Sequence, residues 1–275
     1  MDDFHLPAAT RVGRVALRVN SLDDVLPFYR DVLGLDVRRD GTTARLLAGD
    51  DALLVLSEDD DAPARSPDEA GLFHLAIRVP DRAALADALG RARAADESLT
   101  GASDHLVSEA LYFRDPENNG VEVYRDRPRS AWPWTDDGVA MATRPLDLDD
   151  LAAAGDGEAL PPATDLGHVH LEVTDLSRAE AFYADALGLN VRARYGDEAT
   201  FLAAGDYHHH VGLNTWNDRR APASRSRGLA WFELVVPDGE TLSTVRRRLD
   251  DRGHDVDSTD GAADPDGIRV RFVVE

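Results

Sequence analysis

The sequence predicts an α+β protein of four βαβββ modules, paired so that their strands curl into two cups. Three observations carry this reading. Arg14-Val-Ala-Leu-Arg-Val followed by SLDDVLPFYRDVLGLDV recurs as His168-Val-His-Leu-Glu-Val followed by DLSRAEAFYADALGLNV, with Phe28-Tyr29 matching Phe182-Tyr183 at the same offset. Two further segments of the same kind open with His74-Leu-Ala-Ile-Arg-Val-Pro-Asp and Trp231-Phe-Glu-Leu-Val-Val-Pro-Asp. In every copy the hydrophobic pattern alternates, as in a strand, and then passes through an Asp- or Ser-rich start into an amphipathic helix.

The modules begin near residues 11, 71, 166 and 228. In the first, the helix ends at Gly34, a residue suited to a left-handed cap, and the strands TTARLLAG and ALLVLSE follow. The second continues through the helix ALADALGRARAA to a hairpin. Its strands are Ala110 to Phe113 and Val121 to Tyr124, joined by Asp-Pro-Glu-Asn-Asn-Gly, because Asn-Gly between β-formers signals a tight turn. The third ends its helix at Gly188 and continues with EATFLAAG and HHHVGLNTW; the fourth runs through ETLSTVRRRLDDRG to Asp264-Pro-Asp-Gly-Ile-Arg-Val-Arg-Phe. Residues 1–125 and 166–275 are therefore expected as two domains. The linker 126–165, with Trp132, Trp134 and the acidic helical piece LDLDDLAAAG, is longer than a plain connection and reads as a tether partly packed over a site.

Composition narrows the function classes. Thirty basic residues against fifty-two acidic ones give a net charge of −22, and no lysine is present. Such a surface disfavours nucleic acid and anionic membranes as partners. With 43% hydrophobic residues the chain is a folded protein, and its acidity has the look of adaptation to high salt, where screening shortens self-repulsion. The absence of cysteine excludes disulfides, thiolate metal sites and a cysteine nucleophile. MDDFHL is not the start of a secretory signal and no apolar run spans a membrane, so a cytoplasmic protein is expected, compatible with a homo-oligomer.

The candidate site comes from comparing modules. At the position that opens each first strand stand Arg14, His74, His168 and Trp231; at the last-strand position of Glu122 the fourth module has Arg271. Metal-type residues thus survive only in modules two and three. If those two share a cup, it holds two histidines and one carboxylate, the facial triad of non-haem Fe(II) oxygenases. His168 and His170 share a strand face, so spacing cannot choose between them, and the repeat favours His168. In the HHH run, strand alternation sets His208 and His210 opposite His209. Phe28, Tyr29, Phe182 and Tyr183 read as core.

With these residues the sequence resembles the vicinal-oxygen-chelate superfamily over essentially its whole length, and within it the extradiol ring-cleaving dioxygenases of the catechol 2,3-dioxygenase type. The resemblance implies Fe(II), with Mn(II) as the other candidate, held by His74, Glu122 and His168. It implies a small aromatic substrate of catechol type, dioxygen as co-substrate, and catalytic roles for His209, His105 and Tyr112. His209 would be the acid/base, and His105 and Tyr112 would hydrogen-bond the substrate oxygens. Two departures stand out: the gap between His105 and Tyr112 is two residues shorter, and the Glu-bearing module comes second rather than fourth. Pairing must then run outer with outer and inner with inner. Two alternatives share the fold, a glyoxalase-type metal isomerase or lyase and a drug-sequestering binding protein. The first usually carries a second carboxylate ligand, and the second has no reason to keep His74, Glu122 and His168 together.

Overall fold

A computed structural model describes residues 4–135, 138–257 and 261–275. The first module comprises strands β1 (Arg11–Val19), β2 (Asp36–Asp40), β3 (Thr43–Ala48) and β4 (Asp51–Glu58) with helix α1 (Leu22–Pro27). The second has β5 (Gly71–Arg78), α2 (Arg82–Ala94), β6 (Gly101–Asp104), β7 (Ser108–Arg114) and β8 (Gly120–Asp126). In the connector lie β9 (Trp134–Thr135), β10 (Gly138–Val139), β11 (Arg144–Pro145) and α3 (Leu148–Ala152). The third module contributes β12 (Asp165–Glu172), α4 (Leu176–Glu180), β13 (Asn190–Tyr195), β14 (Ala199–Ala203) and β15 (Val211–Asn214). The fourth adds β16 (Gly228–Val236), α5 (Gly239–Asp251), β17 (Gly261–Ala263) and β18 (Arg269–Val274).

Strand order follows the predicted pairing. One sheet runs β17-β18-β16-β1-β4-β3-β2, from modules four and one; the other runs β11-β6-β7-β8-β5-β12-β15-β14-β13, from modules two and three with a strand of the connector. Among the described residues no helix is long and apolar enough to cross a membrane.

Local chemistry explains why the module helices start where they do. Ser21, Asp81, Asp175 and Asp238 each accept a hydrogen bond from the backbone N–H three residues on, relieving one orphan donor of the first turn. Gly34 and Gly188 end the first and third helices at φ +83° and +90°, a conformation that a Cβ disfavours. What the sequence does not announce is that the last turn of both helices widens to a π-turn, Phe28–Val32 and Ala181–Ala186. Pro27 is present only in the first, so proline is not the shared cause. The shared feature is the Phe-Tyr pair, fully packed as expected, whose tyrosine hydroxyl reaches a buried aspartate. Tyr29 donates to Asp115 at 2.8 Å and Tyr183 to Asp264 at 3.1 Å.

By internal contacts the chain divides into two units, and these are not the sequential halves 1–125 and 166–275. One unit gathers Met1–Ala16, Pro63–Phe73 and His168–Glu275, and the other Leu17–Ala62 and His74–Gly167. In the first unit, Asp264 organises the final turn by accepting the N–H groups of Asp266 and Ile268 at 2.9 Å each. Burial pushes its carboxyl up from the ordinary 3.8 to about 7, with the Asp266 charge adding to the rise and the hydrogen bonds opposing it. Because the folded group holds its proton to higher pH than the unfolded one, its contribution to stability is largest below pH 4 and is lost as pH rises from about 4 to about 7. Asp264→Asn is therefore expected to lose less stability than the wild type between pH 5 and 8 in parallel denaturant titrations. Identical slopes would contradict this.

In the second unit the connector is built into the fold. β11 pairs antiparallel with β6, Arg144 opposite Asp104. Asp150, in α3, accepts from Arg82 of α2 at 2.7 Å, and Asp87 accepts the N–H groups of Gly157 and Glu158. Trp132 is buried, whereas Trp134 is 46% exposed. The residue before His168 is a glycine for a packing reason. A Cβ on Gly167 would lie 1.6 Å from the hydroxyl of Tyr124, a side chain with no exposure and hence no room to retreat. Gly167→Ala is expected to cost about 1–3 kcal/mol, measurable as a lowered denaturation midpoint.

Candidate metal centre

Within the second unit, β5, β7 and β8 position three of the six predicted site residues, His74, Tyr112 and Glu122. β5 and β8 are parallel, with Ala76 opposite Glu122, and β7 is antiparallel to β8 with Tyr112 directly opposite Glu122. The tight turn that sets this register is held by Asp115, which accepts from Glu117 N, Asn119 N and Asn119 Nδ2, with Asn118 at φ +70°. His74 Nε2 lies 2.9 Å from Glu122 Oε2. Tyr112 also hydrogen-bonds Glu122, and burial raises its phenol well above the usual range, with the Glu122 charge and hydrogen bond raising it further. Tyr112 is accordingly a neutral phenol, a hydrogen-bond donor.

His105 sits in the loop between β6 and β7. Its Nε2 is 2.7 Å from the Tyr112 hydroxyl, and its Nδ1 is 2.8 Å from the carbonyl oxygen of Ala142. A carbonyl only accepts, so Nδ1 carries a proton and Nε2 is the nitrogen presented to Tyr112. The connector thereby orients the ring of His105, a role that nothing in the spacing of residues 126–165 announces.

Glu122 stands apart from the other buried glutamates of the described chain. Glu109 is held by Arg82, Arg125 and Arg127, Glu172 by Arg65 and Arg219, and Glu233 by Arg14. Where those three meet guanidinium groups, Glu122 meets an imidazole and a phenol. A carboxylate taken out of water needs a compensating cation or hydrogen bonds, and neither an imidazole nor a phenol carries the permanent charge of a guanidinium.

In the first unit the histidines cluster. His168 and His170 follow one another along the same face of β12, both buried. His209 stacks obliquely on His168 with ring centroids 4.1 Å apart, and its Nδ1 is 2.7 Å from Nδ1 of His208. The predicted alternation of the HHH run does not hold. β15 starts only at Val211, so His208 to His210 form a bend, and in a bend consecutive side chains need not point apart. His208 and His209 are partners, a pairing no sequence periodicity could reveal. His210 turns away and accepts the N–H of Ala204 on Nδ1. His170 lies edge-on to Phe73, Phe201 and Trp216 and over Gly212, where a Cβ would meet its ring at 2.6 Å.

A side-chain nitrogen of His74, one of His168 and a carboxylate oxygen of Glu122 all lie within 4.8 Å of one another. All three residues are buried. Two imidazoles and one carboxylate are the donor set of a divalent first-row metal, and a site with three protein ligands leaves positions for other molecules. Of the two candidate histidines on β12, the group includes His168 and not His170.

Comparison with known proteins places these observations among relatives. The family model described as Glyoxalase/Bleomycin resistance protein/Dioxygenase superfamily matches residues 11–123 and 165–272. A catechol-2,3-dioxygenase of Bacillus subtilis is 40% identical over 282 residues, covering 96% of this chain and 98% of the relative. A biphenyl-2,3-diol 1,2-dioxygenase of Rhodococcus globerulus is 27% identical over 158 residues, covering 53% of this chain and 83% of its own. Among solved structures, glyoxalase I from Zea mays superposes with a TM-score of 0.59 at 17% identity, over 97% of this chain and 92% of that one, a likeness of fold.

Proposed function

The chain belongs to the glyoxalase/bleomycin resistance protein/dioxygenase superfamily, and from that premise we propose that it is an Fe(II)-dependent extradiol dioxygenase acting on a catechol-type aromatic. The observation that carries this reading is the buried group of His74, Glu122 and His168, in which the one carboxylate is set against imidazoles where the chain's other buried glutamates meet arginine. These three residues would hold the metal, Fe(II) or else Mn(II). When bound, the metal supplies the electronic route between a chelated catechol and dioxygen.

The remaining residues act by holding and moving protons. Two neutral imidazoles and one carboxylate leave a divalent ion one charge in excess, so the site favours an anionic substrate, a catechol that has lost a proton. Tyr112, kept neutral by burial, donates a hydrogen bond and does not compete as an anion. The relay from the Ala142 carbonyl through His105 to Tyr112 holds that hydroxyl in place before substrate arrives. His209 is the acid/base residue in this reading. Its Nδ1 is engaged by His208, so the proton shared between these rings sets whether its Nε2 is an acid or a base. The packing of Phe73, Phe201 and Trp216 around His170 supplies an apolar wall suited to an aromatic ring.

The test is oxygen uptake. Protein loaded with Fe(II) without air, and kept in high salt because so acidic a chain repels itself in dilute buffer, is expected to consume dioxygen with at least one of a panel of catechols and to form a yellow ring-opened semialdehyde. Catechol binding without oxygen consumption across the panel would overturn the proposal and favour an isomerase or a binding protein.

A further inference from the structure

The place that in modules two and three carries the candidate metal ligands is occupied in module four, and in β1 of module one, by a different set of charges. In the second module, β5 and β8 are parallel with Ala76 opposite Glu122, and His74 lies two residues before Ala76. In the fourth, β16 and β18 are parallel with Glu233 opposite Arg271, and Trp231 lies two residues before Glu233. Trp231 therefore stands where His74 does, Arg271 where Glu122 does, and Arg14 of β1 where His168 does in the repeat. The cluster is assembled as these registers require. Arg14 grips Glu233 through both oxygens, Nε to Oε2 at 2.9 Å and Nη2 to Oε1 at 2.7 Å, and its backbone N–H adds a third bond to Oε2 at 3.0 Å.

Glu233 is thus consumed by Arg14. Arg271 lies with its Cζ 4.1 Å from the centre of the Trp231 ring, and its buried Nε has no hydrogen-bond partner among the described residues. Stacking on an aromatic uses the face of a guanidinium and leaves its in-plane donors unspent. Arg271 feels the charge of Glu233, but both oxygens of that carboxylate are taken by Arg14, so among the described residues the guanidinium of Arg271 makes no carboxylate hydrogen bond of its own. The Arg14 side chain is itself 42% exposed, so the cluster is open to small solutes. Two guanidinium groups and one carboxylate leave one positive charge, with a planar two-donor edge as the recognition element.

We propose that Arg271, backed by Trp231 and flanked by the Arg14–Glu233 pair, binds a small carboxylate. This is a second ligand site, at the position equivalent to the metal group, and it uses a fork of N–H donors where the other uses a metal. It rests on the strand registers and the arginine contacts, and stands whether or not the dioxygenase reading does.

The experiment is a titration of the full chain with 4-fluorobenzoate, followed by fluorine NMR line broadening, with 4-fluorobenzamide as the neutral isostere. Saturable binding of the carboxylate, with the amide much weaker, is expected. Glu122→Ala is expected to leave this binding in place, which separates it from any carboxylate carried by a metal. Arg271→Gln is expected to weaken it by about tenfold or more, the worth of a charge-assisted bidentate contact. Should circular dichroism show that Arg271→Gln does not fold, Arg271→Lys, which keeps the charge and loses the fork, is expected to give a smaller loss. Affinity unchanged in a folded Arg271 variant, or equal affinity for the amide, would overturn the site.

Discussion

Replacing Glu122 by alanine is expected to strip the protein of its metal while leaving the fold standing. Even outer-shell partners of metal ligands typically change affinity by about 10–100-fold, so loss of the only carboxylate in the group should exceed about 10²-fold. The electrostatics point the same way. With Glu122 gone, two neutral imidazoles offer a divalent ion no negative charge, and the ion would surrender its hydration for little return. The fold should persist because β8 is held by its pairing with β5 and β7 and by Val121, Val123 and Tyr124, all buried. Elemental analysis of protein prepared without oxygen, beside a circular dichroism spectrum, checks both halves. Full metal content in a folded Glu122→Ala protein would remove the basis of the proposed centre.

The second large effect is expected at His209. His209→Phe should retain metal and substrate yet turn over about 10²–10⁴-fold more slowly, the usual contribution of a positioned acid/base group. Phenylalanine preserves the ring contact with His168, so the packing that holds His168 in place should survive. His208 is the informative companion. Strand alternation would make His208→Phe nearly silent, but the structure joins the two Nδ1 atoms at 2.7 Å. His208→Phe is therefore expected to slow turnover by part of the same factor and to shift the pH dependence of kcat, because the tautomer of His209 is no longer held. A pH profile identical to the wild type would show that His208 only packs.

What the sequence by itself determined is the modular frame and the short list of residues at its privileged positions. Periodicity and capping are local, and a repeat doubles their signal. The four strand–helix starts and the Asp115 turn were therefore legible, and so was the contrast between His74, His168 and Glu122 and the Arg14, Trp231 and Arg271 that replace them. Selection within that list needed distance. His168 and His170 are two residues apart on one face, equivalent to any argument from alternation; the repeat points to His168, and distance separates the ring near His74 and Glu122 from the ring packed on Gly212. The bend at His208 to His210 escaped because strand periodicity holds only where a ladder exists, and β15 begins only after the run, at Val211. The Ala142 carbonyl that fixes His105 escaped for a broader reason. A backbone oxygen has no sequence signature, and the edge pairing of β11 on β6 that precedes α3 joins segments some forty residues apart through backbone groups that carry no side-chain identity.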